Sequence, residues 1–262
     1  MGIIRGLWLY RGFILGSVKR EFQSKYLNSL LGVAWTVIQP LSMILVYTII
    51  FSRIMRAKLP GVESTFGYSI YLCAGILTWG LFAEIVGRGQ NTFLEHGNLL
   101  KKISFPRLCL PVTVVATALL NFAIIFGLFT LFLIITGTFP GLAFFAIIAV
   151  LIVQILFAIG LGITLGVLNV FFRDVGQAFG VILQFWFWFW FWLTPIVYPI
   201  TILPKQAQEL MNYNPMTGLM GAYQAILVRA QLPDWQALIP VYYWEYSSVW
   251  QVCACSANTR AK

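Results

Sequence analysis

Between Leu108 and Phe172 the chain reads LCLPVTVVATALLNFAIIFGLFTLFLIITGTFPGLAFFAIIAVLIVQILFAIGLGITLGVLNVFF, without one charged residue. A helix crosses the hydrocarbon layer of a bilayer with about 20 apolar residues, so this run is too long for a single crossing. The string Thr136-Gly-Thr-Phe-Pro-Gly141 divides it, because Gly and Pro so placed end one helix and open another. The run therefore predicts two antiparallel membrane helices joined by a tight turn.

The flanks repeat the pattern. Leu31 to Phe51 is uncharged, Thr65 to Gly87 carries only Glu84 near one end, and a further apolar run extends from Val175 to Tyr198. Met211 to Val228 is also uncharged, but Pro215, Gly218 and Gly221 interrupt it, and Pro199 and Pro204 lie upstream. Short re-entrant or interfacial helices are expected there, since irregular backbone survives at membrane depth only under cover of protein or water. Gln236 to Cys255 is the candidate sixth span, a poor one because Pro240, Glu245, Ser247 and Ser248 interrupt it. The expected fold is an all-α integral membrane protein of six transmembrane helices, with re-entrant helices between spans five and six.

Composition excludes other classes. Of 262 residues, 60% are hydrophobic and 10% charged, against roughly a quarter charged in soluble proteins. The net charge of +9 would suggest nucleic acid in a soluble protein, but in a membrane protein it is the excess that fixes orientation; no nucleic-acid partner is expected. Five spans and a sixth, begun from inside, leave twelve basic residues in cytoplasmic segments and five outside. Without the sixth span the division is ten to seven. Either way the N-terminus is expected in the cytoplasm. Ahead of the first span, residues 1–28 contain Leu15, Val18, Phe22 and Tyr26 at three- and four-residue spacing. That periodicity fits a cytoplasmic helix lying on the membrane interface, with residues 29–262 as the transmembrane domain.

Chemistry is scarce. The eight acidic residues form no tight pair, and no G-x-x-x-x-G-K-[ST] phosphate cradle occurs. One histidine and scattered cysteines make no metal-ligand set. Energy for uphill transport would have to come from another polypeptide. Glu84 lies one helical turn from Arg88, which is the spacing of an i,i+4 ion pair. Tyr68, Tyr71, Gly75, Trp79 and Phe82 fall within about 80° of one another on a helix. Such an aromatic stripe could stack on sugar rings or equally pack between helices. Two turns with an aromatic beside an arginine, Ser104-Phe-Pro-Arg107 and Phe171-Phe-Arg-Asp174, could dock in a groove of a soluble partner or be plain solvated loops.

Several ordered motifs carry a family likeness. Arg20-x-Phe22-x-x-Lys25-Tyr26-x-x-Ser29-x-Leu31-Gly32-x-x-Trp35-x-x-x-x-Pro40-Leu41 resembles the lead-in to the first span of type-2 ABC exporter permeases, closest to the polysaccharide and O-antigen branch. Leu100-Lys-Lys-Ile-Ser-Phe-Pro-Arg107 resembles its first coupling segment, and Phe171-Phe-Arg-Asp174-Val its second cytoplasmic turn. Trp192-Leu-Thr-Pro-Ile-Val-Tyr-Pro199 and Asn214-Pro-Met-Thr-Gly218 are similar to its signatures after span five.

The resemblance implies a homodimer in the inner membrane, working with two ATP-hydrolysing subunits to export a polyprenyl-diphosphate-linked glycan. It implies no cofactor in this chain; ATP and Mg belong to the partner. It puts Trp35, Tyr68, Tyr71, Trp79 and Phe82 on the substrate path. Docking to the ATPase falls to Lys101, Lys102, Phe105, Pro106, Arg107, Arg173 and Asp174. The outer gate falls to Pro195, Tyr198, Pro199, Asn214 and Pro215. Two features depart from the pattern: the Phe-Trp alternation of residues 185–192 is expanded, and the tail beyond Pro240 is polar and aromatic. The alternatives are a membrane-embedded enzyme acting on polyprenyl-linked sugars, or the same architecture exporting capsule, teichoic acid or drugs.

Overall fold

A computed structural model of the chain describes residues 8–26, 34–50, 66–97, 109–193, 200 and 204–244, without the side chains of 25, 26, 187–193 and 210. Regular structure among the described residues is entirely helical. In chain order the helices are α1 (Arg11–Tyr26), α2 (Trp35–Tyr47), α3 (Gly67–Glu95), α4 (Cys109–Ile135), α5 (Ala146–Phe171), α6 (Asp174–Leu193), α7 (Lys205–Asn212) and α8 (Pro215–Arg229). Short 3-10 turns occupy Gly141–Phe145 and Trp235–Leu238.

Among the described residues, three helical segments are long and apolar enough to cross a membrane: Gly67–Glu95, Cys109–Ile135 and Gly141–Phe171. At 1.5 Å per residue, the 29 residues of α3 reach about 43 Å, so this helix runs well past the hydrocarbon layer. α6 runs unbroken through the Phe-Trp alternation and has 20 residues, a length that matches the bilayer. α2 is shorter, contains Pro40, and continues as a wider turn over residues 48–50.

The long uncharged run divides where expected. At the end of α4 the Thr138 amide donates to the Leu133 carbonyl at 3.0 Å and the Gly137 amide to that of Ile134 at 3.1 Å. This is a Schellman cap, with Gly137 at φ 68°. Gly141, at φ 64°, then opens the 3-10 turn that leads into α5. The two helices are not mainly packed on each other, as an isolated hairpin would be. Each leans on α3 instead.

α3 is the hub. It packs on α5, α8 and α4, and more narrowly on α2 and α6. Its approach to α5 depends on glycine: a Cβ at Gly89 would lie 2.9 Å from the Gly162 Cα, and one at Gly166 would lie 2.7 Å from the Gly89 carbonyl oxygen. Small residues let membrane helices approach closely where lipid and protein are equally apolar. On the same seam the Gln154 amide donates to the Thr78 carbonyl at 2.7 Å, fully buried.

One expectation is corrected. Gly218 and Gly221 do not interrupt the apolar tail; both lie inside α8, whose 15 residues start at Pro215 and end at Arg229. Gly218 is there for proximity, since a Cβ would meet the Ala237 carbonyl oxygen at 2.1 Å. On α1, Val18 is buried and Leu15 is 66% exposed. The boundary between residues 28 and 29 lies outside the described residues, as does most of the candidate sixth span, of which residues 239–244 are helical.

Candidate functional site

The aromatic stripe of α3 divides into a buried part and an accessible end. Tyr71, Trp79 and Phe82 are core residues, Phe82 fully buried. Phe82 stacks on Phe157 of α5 at 5.4 Å between centroids, and both Trp79 and Phe82 meet Trp186 of α6 edge-on, at 6.0 and 5.7 Å. These rings join α3, α5 and α6. Tyr68 is half-buried, its ring 6.4 Å from that of Tyr71. Trp35, the first residue of α2, is 45% exposed. It lines a cleft of about 270 Å³ between α2, α3 and α4 with Gln39, Glu84 and Asn121. Of the five expected path residues, Trp35 and Tyr68 present an accessible surface within one copy of the chain.

Of the expected docking residues, Arg173 and Asp174 are described and exposed. They sit in the turn between α5 and α6, where Phe172 is extended and Asp174 opens α6 with a carboxylate in its first turn. That placement suits the positive end of a helix dipole. Asn169, which the sequence reading missed, fixes this turn. Its amide donates to the Gln90 carbonyl at 3.0 Å and to Asn91 Oδ1 at 3.3 Å, while its Oδ1 accepts from the Gly176 amide at 3.0 Å. An asparagine alone in an apolar run was the available signal. Lys101, Lys102, Phe105, Pro106 and Arg107 lie outside the described residues.

Of the expected gate residues, Pro195, Tyr198 and Pro199 lie outside the described residues. Asn214 and Pro215 form the start of α8. The Asn214 side chain accepts from the Met216 amide at 3.1 Å as an N-cap, and Pro215 follows in the first turn, where its missing N–H leaves nothing unpaired. Beyond them Met216, Leu219, Met220, Tyr223, Ile226 and Leu227 are all but fully buried. Gln224 donates to the Tyr71 carbonyl at 3.5 Å, joining α8 to the stripe end of α3.

Glu84 has more partners than its spacing suggested. The i,i+4 pair with Arg88 is formed, Arg88 Nε lying 3.3 Å from Glu84 Oε1. Asn121 of α4 also donates to that oxygen, at 2.6 Å. Arg88 additionally pairs with Glu21 of α1, whose other oxygen accepts from the Thr117 hydroxyl at 3.0 Å.

A bundle of long apolar helices around one hub is the architecture of a multi-pass membrane protein. The chain belongs to the ABC-2 type transporter family, whose model matches residues 14–228; it is a transport subunit. It is 33% identical over 257 residues to the O-antigen export system permease protein RfbA of Myxococcus xanthus, covering 95% of each chain. Two proteins of the same name from Klebsiella pneumoniae are 27% and 26% identical over 216 residues, with 81% of this chain and 79% of theirs covered.

Proposed function

We propose that this chain is the membrane-spanning permease of an ATP-driven exporter that moves polyprenyl-diphosphate-linked O-antigen polysaccharide across the inner membrane. One observation carries the cargo: a third of the residues are shared with a protein named for O-antigen export, across 95% of both chains. ATP and magnesium are held by two separate ATP-binding subunits, a division supported by the lack of any phosphate cradle in the sequence. The excess of Lys and Arg in alternate loops supports a cytoplasmic N-terminus, which puts the Phe171–Asp174 turn on the side where ATP is hydrolysed.

The working unit is a pair of copies. α2 and α6 rest on α3 by narrow seams, and each leaves an apolar face uncovered: Val37, Ile38, Leu41 and Leu45 on α2, and Val181, Ile182 and Phe185 on α6. A second copy covering these faces encloses a passage reached by Trp35 and Tyr68. Indole and phenol rings pack on the C–H faces of sugars while their N–H and O–H groups take hydroxyls. Closure of the ATPase pair pushes on Arg173 and Asp174, and the rigid clamp at Asn169 passes that displacement to α3, α5 and α6. The five docking residues of the first coupling segment and the gate residues Pro195, Tyr198 and Pro199 belong to the same proposal, on the resemblance alone.

The test is co-expression with an ATP-binding subunit from the same cell. The two should co-purify, and hydrolysis should rise when lipid-linked glycan is added to the reconstituted complex. Cells lacking this chain should accumulate the glycan on the cytoplasmic face. Lack of co-purification together with normal surface glycan in the deletion strain would refute the reading.

A further inference from the structure

We infer that Arg88 is the positioning residue that latches α1 onto the membrane helices and transmits its movement to α3 and α4. Among the described side chains of α1, Val18 alone is buried, so apolar packing gives this helix little hold. Polar contacts give more. Arg88 of α3 pairs with Glu21 of α1 and with Glu84 one turn back on its own helix. α4 closes the far side: Thr117 donates to Glu21 at 3.0 Å and Asn121 to Glu84 at 2.6 Å. One guanidinium thus holds two carboxylates, each also bonded from α4, and the network spans three elements. The ionic side chains are 28–39% exposed, so water screens them in part but does not surround them.

The arrangement is asymmetric. Without Arg88, Glu21 and Glu84 face each other uncompensated, and α1 is repelled. Without Glu21, the Arg88–Glu84 pair survives and α1 merely loses a tie. Without Glu84, the tie to α1 remains. Beside the network a cleft of about 530 Å³, lined by Phe13, Ser17, Arg20 and His96 among others, leaves α1 room to move when the latch opens. The latch itself stands on geometry; its role in coupling rests on the exporter reading above.

The experiment places a single cysteine at Val18, with the native cysteines replaced, in the full complex with its ATPase in lipid nanodiscs. The readout is the rate of labelling by a water-soluble maleimide. Arg88→Ala should raise that rate about tenfold or more, Glu21→Gln less, and Glu84→Gln least. Glu21→Arg combined with Arg88→Glu, in a Glu84→Gln background, should restore the parental rate to within about threefold. Glycan-stimulated ATP hydrolysis should fall and recover in the same order. A parental labelling rate in Arg88→Ala overturns the latch, as does a swapped pair that labels as fast as Arg88→Ala. A parent complex with no glycan stimulation defeats the exporter reading and the coupling role, while the labelling series still decides the latch.

Discussion

α3 is held in two different ways along its circumference. Toward α5 its backbone is in direct contact: Gly89 lies against Gly162 and Gly166, Gln154 bonds to Thr78, and Phe82 stacks on Phe157; α8 packs broadly beside it, with Gln224 bonded to the Tyr71 carbonyl. Toward α2 and α6 the seams are narrow, and the outer faces of both helices are left open. The first side has no room to give, because close-packed interiors shift between discrete arrangements rather than deform smoothly. The second side, held to α3 by narrower seams, is the flank that the exporter proposed above would move against the first as its post. A transporter that must open and shut needs both.

The largest effect should come from wedging the tight side. Gly89→Leu puts a branched side chain where even a Cβ is 2.9 Å from the Gly162 backbone. Overpacking of this kind costs about 3 kcal/mol; the variant should yield little folded protein in detergent and a lowered unfolding midpoint. Next comes a pair that separates core from passage. Phe82→Ala empties a fully buried site among three aromatic rings and should lower stability by about 3 kcal/mol, measured by thermal unfolding in micelles. Trp35→Ala, at a 45% exposed position, should change stability by under about 0.5 kcal/mol and yet reduce glycan export. If the two variants behave alike, the division of α3 into a rigid and an open side is wrong.

That division was the least legible part of the sequence, and the reason is physical. In water the inward face of a helix is the apolar one. In a bilayer the lipid and the core are equally apolar, so polarity cannot tell them apart. Tyr68, Tyr71, Trp79 and Phe82 therefore showed as one stripe, although three are core and one is half-buried. The division of the long run at Thr136–Gly141 was legible, because Gly137 and Gly141 adopt conformations that favour glycine. Gly218 carried the opposite ambiguity: a glycine needed for close approach is indistinguishable, in one sequence, from one that breaks a helix. Gly162-Ile-Thr-Leu-Gly166 was a readable small-residue seam that went unread. The Glu84–Arg88 pair followed from i,i+4 spacing, whereas Glu21 could not, since nothing local announces a partner 67 positions away.

The clamp between the tight side and the docking turn should show an intermediate effect. Asn169→Ala removes a buried amide bonded to Gln90, Asn91 and Gly176. Leaving such groups unpaired costs about 1–3 kcal/mol. Because the turn bearing Arg173 and Asp174 would then be free of α3, coupling of hydrolysis to glycan should drop further than stability alone explains. A loss of stability with normal stimulation would mean that the turn is positioned by something else.

The smallest effect should be a gain. α8 is capped after Arg229 by Ala230, which stands at φ 53° and ψ 34°, the left-handed region that a Cβ disfavours and glycine occupies freely. The geometry is that of a helix cap, with the Gln231 amide returning to the Ala225 carbonyl at 3.2 Å. Ala230→Gly keeps that bond and removes the strain, so α8 should gain about 0.5–1 kcal/mol, visible as a small rise in unfolding midpoint. Because α8 is packed on the rigid side of α3, extra stability there should leave transport unchanged. A slowed exporter would instead place α8 among the moving parts, and the post would then be α3 and α5 alone.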